Sequence, residues 1–201
     1  MVNLRSNRFG ELSEATWKCK LMVSQQDQIL PRLQESSGKV VGLISDTHVP
    51  VRAREIPKAV FKVFENVDYI VHAGDLVELS VIDDLEQLAP VLAVYGNMDG
   101  PEVRGGLQKL NSFKVFNWKI GAIHDPGTLF GIRKAREIAK LNGFDVLVYG
   151  HTHNSSIKWN GDILFINPGS PTNPLPSFIA KPSVALLRVT KERIVPELIQ
   201  I

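Results

Sequence analysis

The stretch KVVGLISDTH, residues 39–48, shows the pattern on which the rest of the sequence is built. Residues 39–45 form a short apolar run bounded by polar residues, which is typical of a strand that is buried on both faces. Asp46 and His48 follow directly, at the point where this strand ends. A carboxylate and an imidazole therefore stand at the carboxyl end of the first predicted strand.

The sequence that follows alternates helical and strand patterns before it changes to strands alone. Helical spacing of apolar residues predicts helices at 54–67, at 80–89 with Ser80 as N-cap, and at 127–143 with Gly143 as C-cap. Strands are predicted at 68–74, 91–96, 145–150, 156–159, 162–167, 183–189 and 193–199, and a hairpin over 113–124 that turns at Asn117. This order predicts an α/β fold with a parallel sheet core extended by antiparallel strands.

The composition is that of a globular protein and excludes several classes. Of 201 residues, 44% are hydrophobic and 22% are charged, which suits one domain. The net charge is only +2 and no block of Lys and Arg occurs, so there is no strong nucleic-acid footprint. No stretch approaches the ~18 apolar residues that a membrane helix needs, and we expect no signal peptide. With Cys19 as the single cysteine, a cytoplasmic protein is the expectation.

Residues 1–38 differ in pattern from the rest of the chain. Weak alternation in 15–23 fits a strand, and 26–35 fits a short helix that breaks near Pro31, but neither pattern is decisive. The linker-like sequence ESSGK, residues 35–39, then leads into the first buried strand. We expect an N-terminal extension over 1–38 and one domain over 39–201.

The first polar residues after the inner strands are all of types that bind metal ions. In chain order they are Asp46, His48, Asp75, Asn97, His124, His151 and His153. In open α/β sheets, ligands bind outside the carboxyl ends of the strands. Each motif alone is also typical of a turn or a helix cap. Together, each at a strand end, they favour a single site.

The types and number of these residues indicate the kind of ion. Two Asp, one Asn and four His, without sulfur, suit Mn²⁺, Fe²⁺, Zn²⁺, Co²⁺ or Ni²⁺ rather than Ca²⁺. Seven side chains are too many for one ion and suit two if one carboxylate bridges. Two ions ~3.5–4 Å apart can stabilise both ends of an in-line phosphoryl displacement. We expect two divalent transition-metal ions, with Mn²⁺ as the first choice.

These residues also carry a resemblance to a known family. SDTH (45–48), GD (74–75), GN (96–97), the lone His124 and GHTH (150–153), in that order, resemble the motifs of the calcineurin-like metallophosphoesterase superfamily. Their spacing and the sequence NPGSPTNP (167–174) are similar to its small phosphodiesterase branch. The resemblance covers about residues 39–190. It implies a four-layer α/β/β/α sandwich of two mixed sheets with helices outside.

The resemblance further implies an activity and a role for each residue. The activity is a metal-dependent phosphodiesterase, in which a hydroxide that bridges two ions attacks a small phosphodiester. Asp75 and Asn97 would be the catalytic residues, and Asn97 would also help to hold a phosphate oxygen. The resemblance places Asp46, His48 and His153 on one ion, Asn97, His124 and His151 on the other, and Asp75 between the two.

Two departures from the family pattern bear on the proton for the leaving group. Met98 stands where many members have a histidine, and Asp125 follows His124 where many have Gly-His. Water or His153 would then have to supply the proton, unless none is supplied. The alternative function is a non-catalytic metal-binding scaffold of the same fold that works through protein contacts, with 1–38 as its docking element. A homo-oligomer is compatible with either.

Four other polar residues attract attention but receive structural interpretations. His72 lies inside the strand at 68–74 and is expected in the core with one ring nitrogen hydrogen-bonded, rather than behind a metal ligand. Asp99 is expected to be a turn residue, with the orientation of a ligand as the alternative. Arg52 and Arg54 are expected on the surface, although one of them would suit a substrate phosphate.

Overall fold

The computed structural model describes residues 38–127, 132–176 and 179–201. The predicted strand at 15–23, the predicted helix at 26–35 and Cys19 lie outside these residues. The first part of the helix predicted at 127–143 lies outside them as well. The domain boundary at residue 38 therefore stays a prediction.

Short apolar runs form the strands, as their patterns predict. Within the described residues they are β1 (Lys39–Ile44), β2 (Tyr69–His72), β3 (Val91–Ala93), β4 (Leu110–Val115), β5 (Trp118–Ile123), β6 (Val146–Val148), β7 (Ser156–Asn160), β8 (Ile163–Asn167), β9 (Ser183–Val189) and β10 (Ile194–Gln200). The hairpin β4–β5 turns at Phe116 and Asn117, as predicted. The helices are α1 (Lys58–Phe64), α2 (Ser80–Glu86), α3 (Pro101–Gly106) and α4 (Arg133–Asn142).

The strands form two mixed sheets of five strands each. The first has the order β10-β9-β1-β2-β3, in which β1, β2 and β3 are parallel and β9 and β10 extend them in antiparallel fashion. The second has the order β4-β5-β6-β8-β7, with β5, β6 and β8 parallel. Pro196 lies in β10 at a sheet edge, where its missing N–H is tolerated. The predicted combination of a parallel core with antiparallel extensions is confirmed.

Three groups of buried apolar side chains hold four layers together. Between the sheets, residues of both, such as Leu43 and Ile120, share one core. Phe64 of α1 and Leu85 of α2 pack with residues of the first sheet. Ala139 of α4 packs with the outer face of the second sheet. Each large buried side chain contributes about 1.5–3 kcal/mol, and the predicted α/β/β/α sandwich is confirmed.

The helix ends differ from the sequence predictions for local reasons. Helix α1 begins only after Pro57, because a residue that precedes proline disfavours the helical region. Ser80 as an N-cap is wrong: Leu79 holds that position, and the Ser80 hydroxyl lies 3.4 Å from Glu78 Oε2. Gly143 is confirmed as the C-cap of α4, at φ 63°. No described helix is long and apolar enough to cross a membrane.

Candidate metal centre

The parallel strands deliver all seven predicted site residues to one place. Asp46 and His48 follow β1, Asp75 follows β2, Asn97 follows β3, His124 follows β5, and His151 and His153 follow β6. Their polar atoms form a continuous chain: His151 Nδ1–Asn97 Oδ1 2.8 Å, Asn97 Oδ1–His124 Nε2 3.0 Å, His124 Nε2–Asp75 Oδ2 3.3 Å, Asp75 Oδ2–His48 Nε2 3.8 Å, His48 Nε2–His153 Nε2 3.1 Å and His153 Nε2–Asp46 Oδ1 3.3 Å.

Five of these seven residues have left-handed backbone conformations. The φ angles are 53° at Asp46, 47° at His48, 57° at Asp75, 69° at His151 and 54° at His153. Such angles are uncommon outside glycine and cost of order 1–3 kcal/mol each. Residues held in this region cluster at functional sites, because only a surrounding structure that overdetermines them can maintain them. The loops therefore adopt an uncommon backbone conformation that sets the direction of the site side chains.

Hydrogen bonds between loops hold the first strand end in place. The backbone N–H of Asp46 donates to the carbonyl of Gly74, and that of His48 donates to the carbonyl of Asp75, both at 3.0 Å. From the other side, the Ser170 hydroxyl donates to the Asp46 carbonyl at 2.7 Å. The sequence NPGSPTNP, which contains Ser170, thus packs behind Asp46.

Asp99 organises the loops after β2 and β3. Its carboxylate accepts the backbone N–H groups of Asp75 at 3.0 Å, Val77 at 2.6 Å and Gly96 at 2.7 Å, and the residue is only 4% exposed. Asp99 is therefore more than the turn residue that was the first expectation. It orients the loop that carries Asp75, which was the alternative. Burial with several backbone donors is a tertiary property, and no local sequence signal reveals it.

Asp75 is held closely on both sides. The backbone N–H of Met98 donates to Asp75 Oδ1 at 2.7 Å. Gly96 lies so close that a Cβ atom there would overlap this same carboxylate oxygen, which explains glycine at this position. Burial raises the pKa of Asp75, but the hydrogen bond and charge of His124 outweigh burial, and the pKa is lowered. Asp75 is therefore an ionised carboxylate at neutral pH.

His124 presents a lone pair to other acceptors. Its Nδ1 lies 2.9 Å from the carbonyl oxygen of Ala73, which can only accept, so Nδ1 carries the proton in the neutral ring. Nε2 then faces Asn97 Oδ1 at 3.0 Å and Asp75 Oδ2 at 3.3 Å, and these oxygens are acceptors too. Such an arrangement requires a cation, either a proton or a metal ion. This observation shows that the residues present fit a metal.

His153 is arranged in the same way on the other side of Asp75. Its Nδ1 lies 2.6 Å from the carbonyl oxygen of Asn173, which leaves Nε2 directed at Asp46 Oδ1 and at His48 Nε2. Burial lowers the pKa of His153, but Asp46 outweighs it, and the pKa is raised above 6.5. Burial lowers the pKa of His48, in spite of the nearby carboxylates. The pKa values of the two neighbouring rings thus shift in opposite directions, up for His153 and down for His48.

Two overlapping groups have the spacing that a metal ion needs. The ligand atoms of Asp46, His48 and His153 lie within 4.8 Å of one another, and so do those of Asp46, Asp75 and His124. Asp75 Oδ2 approaches a histidine of each group, which suits a bridging carboxylate. Asp46 takes part in both groups, whereas the sequence analysis assigns it to one. Asn97 is exposed and adds an amide oxygen beside His124.

A cleft of about 320 Å³ opens beside Asn97, His124 and His151, within the range of small-ligand sites. Its wall includes Arg104 and Lys109, which come from a segment that the sequence analysis leaves without an assigned structure. Arg52 and Arg54 are exposed, as expected.

His72 lies in the core, as expected. It is fully buried, and both ring nitrogens have partners: Nδ1 accepts the backbone N–H of Gly74 at 3.2 Å, and Nε2 donates to the Thr47 hydroxyl at 3.1 Å. Burial lowers its pKa to about 4, so the ring stays neutral. His72 thus holds the loop after β1 through Thr47 and the loop after β2 through Gly74.

Comparisons with known proteins show relatives in sequence and in fold. A probable metallophosphoesterase of Methanothermobacter thermautotrophicus is 40% identical over 166 residues, which are 80% of this chain and 92% of the relative. A solved archaeal phosphodiesterase is 28% identical, with a TM-score of 0.62 over 80% of this chain and 99% of the other. Vps29 of Entamoeba histolytica, solved with Zn²⁺, is 27% identical, with a TM-score of 0.65 over 80% and 98%.

The match to a family model covers most of the domain. The model of the calcineurin-like phosphoesterase superfamily domain matches residues 40–192, which include all seven candidate site residues. The resemblance inferred from the motifs is thereby confirmed. This chain belongs to the calcineurin-like phosphoesterase superfamily.

Proposed function

We propose that this protein is a phosphodiesterase that works with two divalent metal ions and acts on a small phosphodiester. The observation that carries the proposal is the continuous chain of acceptor atoms, in which lone pairs of His124 and His153 face oxygens of Asp75, Asn97 and Asp46. We propose Mn²⁺ as the first ion to test, because mixed nitrogen and oxygen ligands suit it.

The ligand assignment that we propose divides the residues around Asp75. Asp46, His48 and His153 would hold one ion, with Asp75 between the two positions. Asn97, His124 and His151 would hold the other, with His151 using Nδ1, the atom that lies 2.8 Å from Asn97 Oδ1. When bound, such ions lower the pKa of water and neutralise charge that develops on a phosphoryl group.

The protein's own groups orient the candidate ligands and determine which ring nitrogen of each histidine carries the proton. The carbonyls of Ala73 and Asn173 fix the Nδ1–H tautomers of His124 and His153, which keeps both Nε2 lone pairs free. The N–H of Met98 holds one oxygen of Asp75, which leaves Oδ2 for the bridging role. The Asn97 side chain lines the cleft and would help to hold a phosphate oxygen.

The residue after Asn97 does not supply a proton to the leaving group. The Met98 side chain is 53% exposed and has no proton to donate. Substrates whose leaving group is already a weak base should therefore react fastest.

The test is hydrolysis by protein that has been stripped of metal and then loaded with Mn²⁺. We expect turnover of bis(p-nitrophenyl) phosphate, and slower turnover of the monoester p-nitrophenyl phosphate. Protein treated with a chelator should hydrolyse neither. If the Mn²⁺-loaded protein binds metal but hydrolyses no phosphate ester, the alternative function, a non-catalytic scaffold, gains support.

Acid should weaken metal binding. The pKa values of His124 and His153 are raised above 6.5 because the hydrogen bonds and charges of Asp75 and Asp46 outweigh burial. These protons must leave before metal binds, so affinity falls once the pH drops below the raised values, by up to about tenfold per pH unit for each proton displaced. His48, whose pKa is lowered by burial, takes up its proton at a lower pH than these two rings.

A Mn²⁺ titration at several pH values between about pH 8 and pH 5.5 checks this expectation. Calorimetry in buffers of different ionisation enthalpy should show proton release during binding. An affinity that stays constant over this range would contradict the assignment of histidine ligands.

A further inference from the structure

Arg104 lies above the loop that carries Asn97. It follows Val103, which is 2% exposed and packs α3 onto the core beside the first sheet. The short helix therefore has a fixed position, and Arg104 extends from it over the end of β3. Its guanidinium stands over the ring of Tyr95, with 5.6 Å from Cζ to the ring centroid. This placement is compatible with a cation–π contact.

The guanidinium binds three backbone carbonyls of this loop. Nε donates to the Asp99 carbonyl at 2.8 Å, and one terminal nitrogen, Nη2, donates to the carbonyls of Asn97 at 2.9 Å and Gly96 at 3.3 Å. Three carbonyls on one cation determine the path of the chain from 96 to 99.

Asp99 holds the same loop through its N–H side. Its carboxylate accepts the N–H of Gly96, while Arg104 binds the carbonyl of Gly96. Asn97 lies between these anchors and is itself exposed, so few packing contacts fix its position. Its Oδ1 nevertheless lies 3.0 Å from His124 Nε2 and 2.8 Å from His151 Nδ1.

We propose that Arg104 is a positioning residue that directs the amide oxygen of Asn97 toward the second metal position. The proposal rests on the proposed dinuclear function and extends it to a residue outside the ligand set. Arginine suits this role better than lysine, because its planar group offers several donors in a fixed arrangement. Arg104 would act mainly through Asn97, so the position held by Asp46, His48 and His153 should change much less.

The test is calorimetric titration of metal-free protein with Mn²⁺, which resolves two binding steps if two positions exist. In the Arg104→Ala variant, the step that Asn97→Ala weakens should also become weaker, by about 10–100-fold, as is usual for partners of metal ligands. The other step should change much less, because Arg104 reaches it only through the Met98 N–H that holds Asp75. Arg104→Lys should recover part of the loss, because lysine replaces one of the bonds.

The double variant shows whether Arg104 acts through Asn97. If it does, Arg104→Ala should have no further effect in the Asn97→Ala background, so that the effects are not additive. Glu102→Ala is the matched control, since Glu102 is an exposed residue of the same helix, and it should bind both ions normally. The unfolding midpoint of each metal-free variant reports separately on loss of structure.

Three outcomes would overturn the proposal. They are unchanged binding by Arg104→Ala, equal weakening of both steps, or full additivity with Asn97→Ala. Each leaves the proposed function intact if the unmodified protein binds two ions. If the unmodified protein itself binds no pair of ions, the dinuclear function fails and the positioning role fails with it.

Discussion

The Asp75→Ala variant will bind neither ion and will lose turnover by about 10³-fold or more, as the loss of several kcal/mol of transition-state stabilisation implies. The reason is that Asp75 Oδ2 approaches a histidine on each side, His48 at 3.8 Å and His124 at 3.3 Å. A carboxylate between two positions contributes to both. Elemental analysis of dialysed protein together with the diester assay measures the two effects.

Two further variants make this experiment specific. Asp75→Asn keeps an oxygen that can accept the Met98 N–H, so it removes the charge while it preserves this contact. It should lose metal almost as completely as Asp75→Ala. Asp83→Ala removes an exposed carboxylate of α2 and should retain both ions. Retention of one ion at full affinity in Asp75→Ala would show that Asp75 does not bridge.

Among the variants proposed here, Asp99→Ala should lower the free energy of unfolding the most. It removes the acceptor of three backbone N–H groups, those of Asp75, Val77 and Gly96. Each buried donor left without a partner costs about 1–3 kcal/mol, and the partly buried N–H of Val77 costs less, so we expect the free energy of unfolding to fall by about 3–6 kcal/mol. Urea denaturation in the presence of a chelator measures this loss without a contribution from metal.

A graded series tests the cause of this loss. In Asp99, Oδ2 accepts from Asp75 and Gly96, and Oδ1 accepts from Val77. Asp99→Asn can keep the pair on Oδ2 and lose only the third bond, so its loss should be smaller. Asp162→Ala, at an exposed turn between β7 and β8, should change stability by no more than about 0.5 kcal/mol. Equal stability of Asp99→Ala and the unmodified protein would refute the role of Asp99.

The sequence predicts the architecture and the convergence of the seven candidate residues on one place, for a physical reason. Each candidate ligand stands directly after a buried apolar run, as Asp46 and Asp75 do. Parallel strands bring these ends to one edge of the sheets, so the prediction does not depend on the conformation of the loops. Periodicity is a local property, and it is enough to predict a parallel core extended by antiparallel strands, whereas the two-sheet sandwich with outer helices follows from the family resemblance.

The contacts that hold the site residues in place cannot be predicted from local sequence patterns. The N–H groups that Asp99 accepts come from residues up to 24 positions away, and only folding brings them together. Helix α3, which carries Arg104, ends in two glycines, and its six residues give too weak a pattern for prediction. The left-handed angles at the ligands likewise depend on the surrounding structure, because the residues' own preferences oppose them.

Anomalous diffraction from crystals loaded with Mn²⁺ tests the dinuclear centre most directly. The account predicts two peaks about 3.5–4 Å apart, with a carboxylate oxygen of Asp75 in contact with both. Asn97 should contact the peak that lies nearer to His124. A single peak, no peak, or a pair from which Asp75 is absent would contradict it.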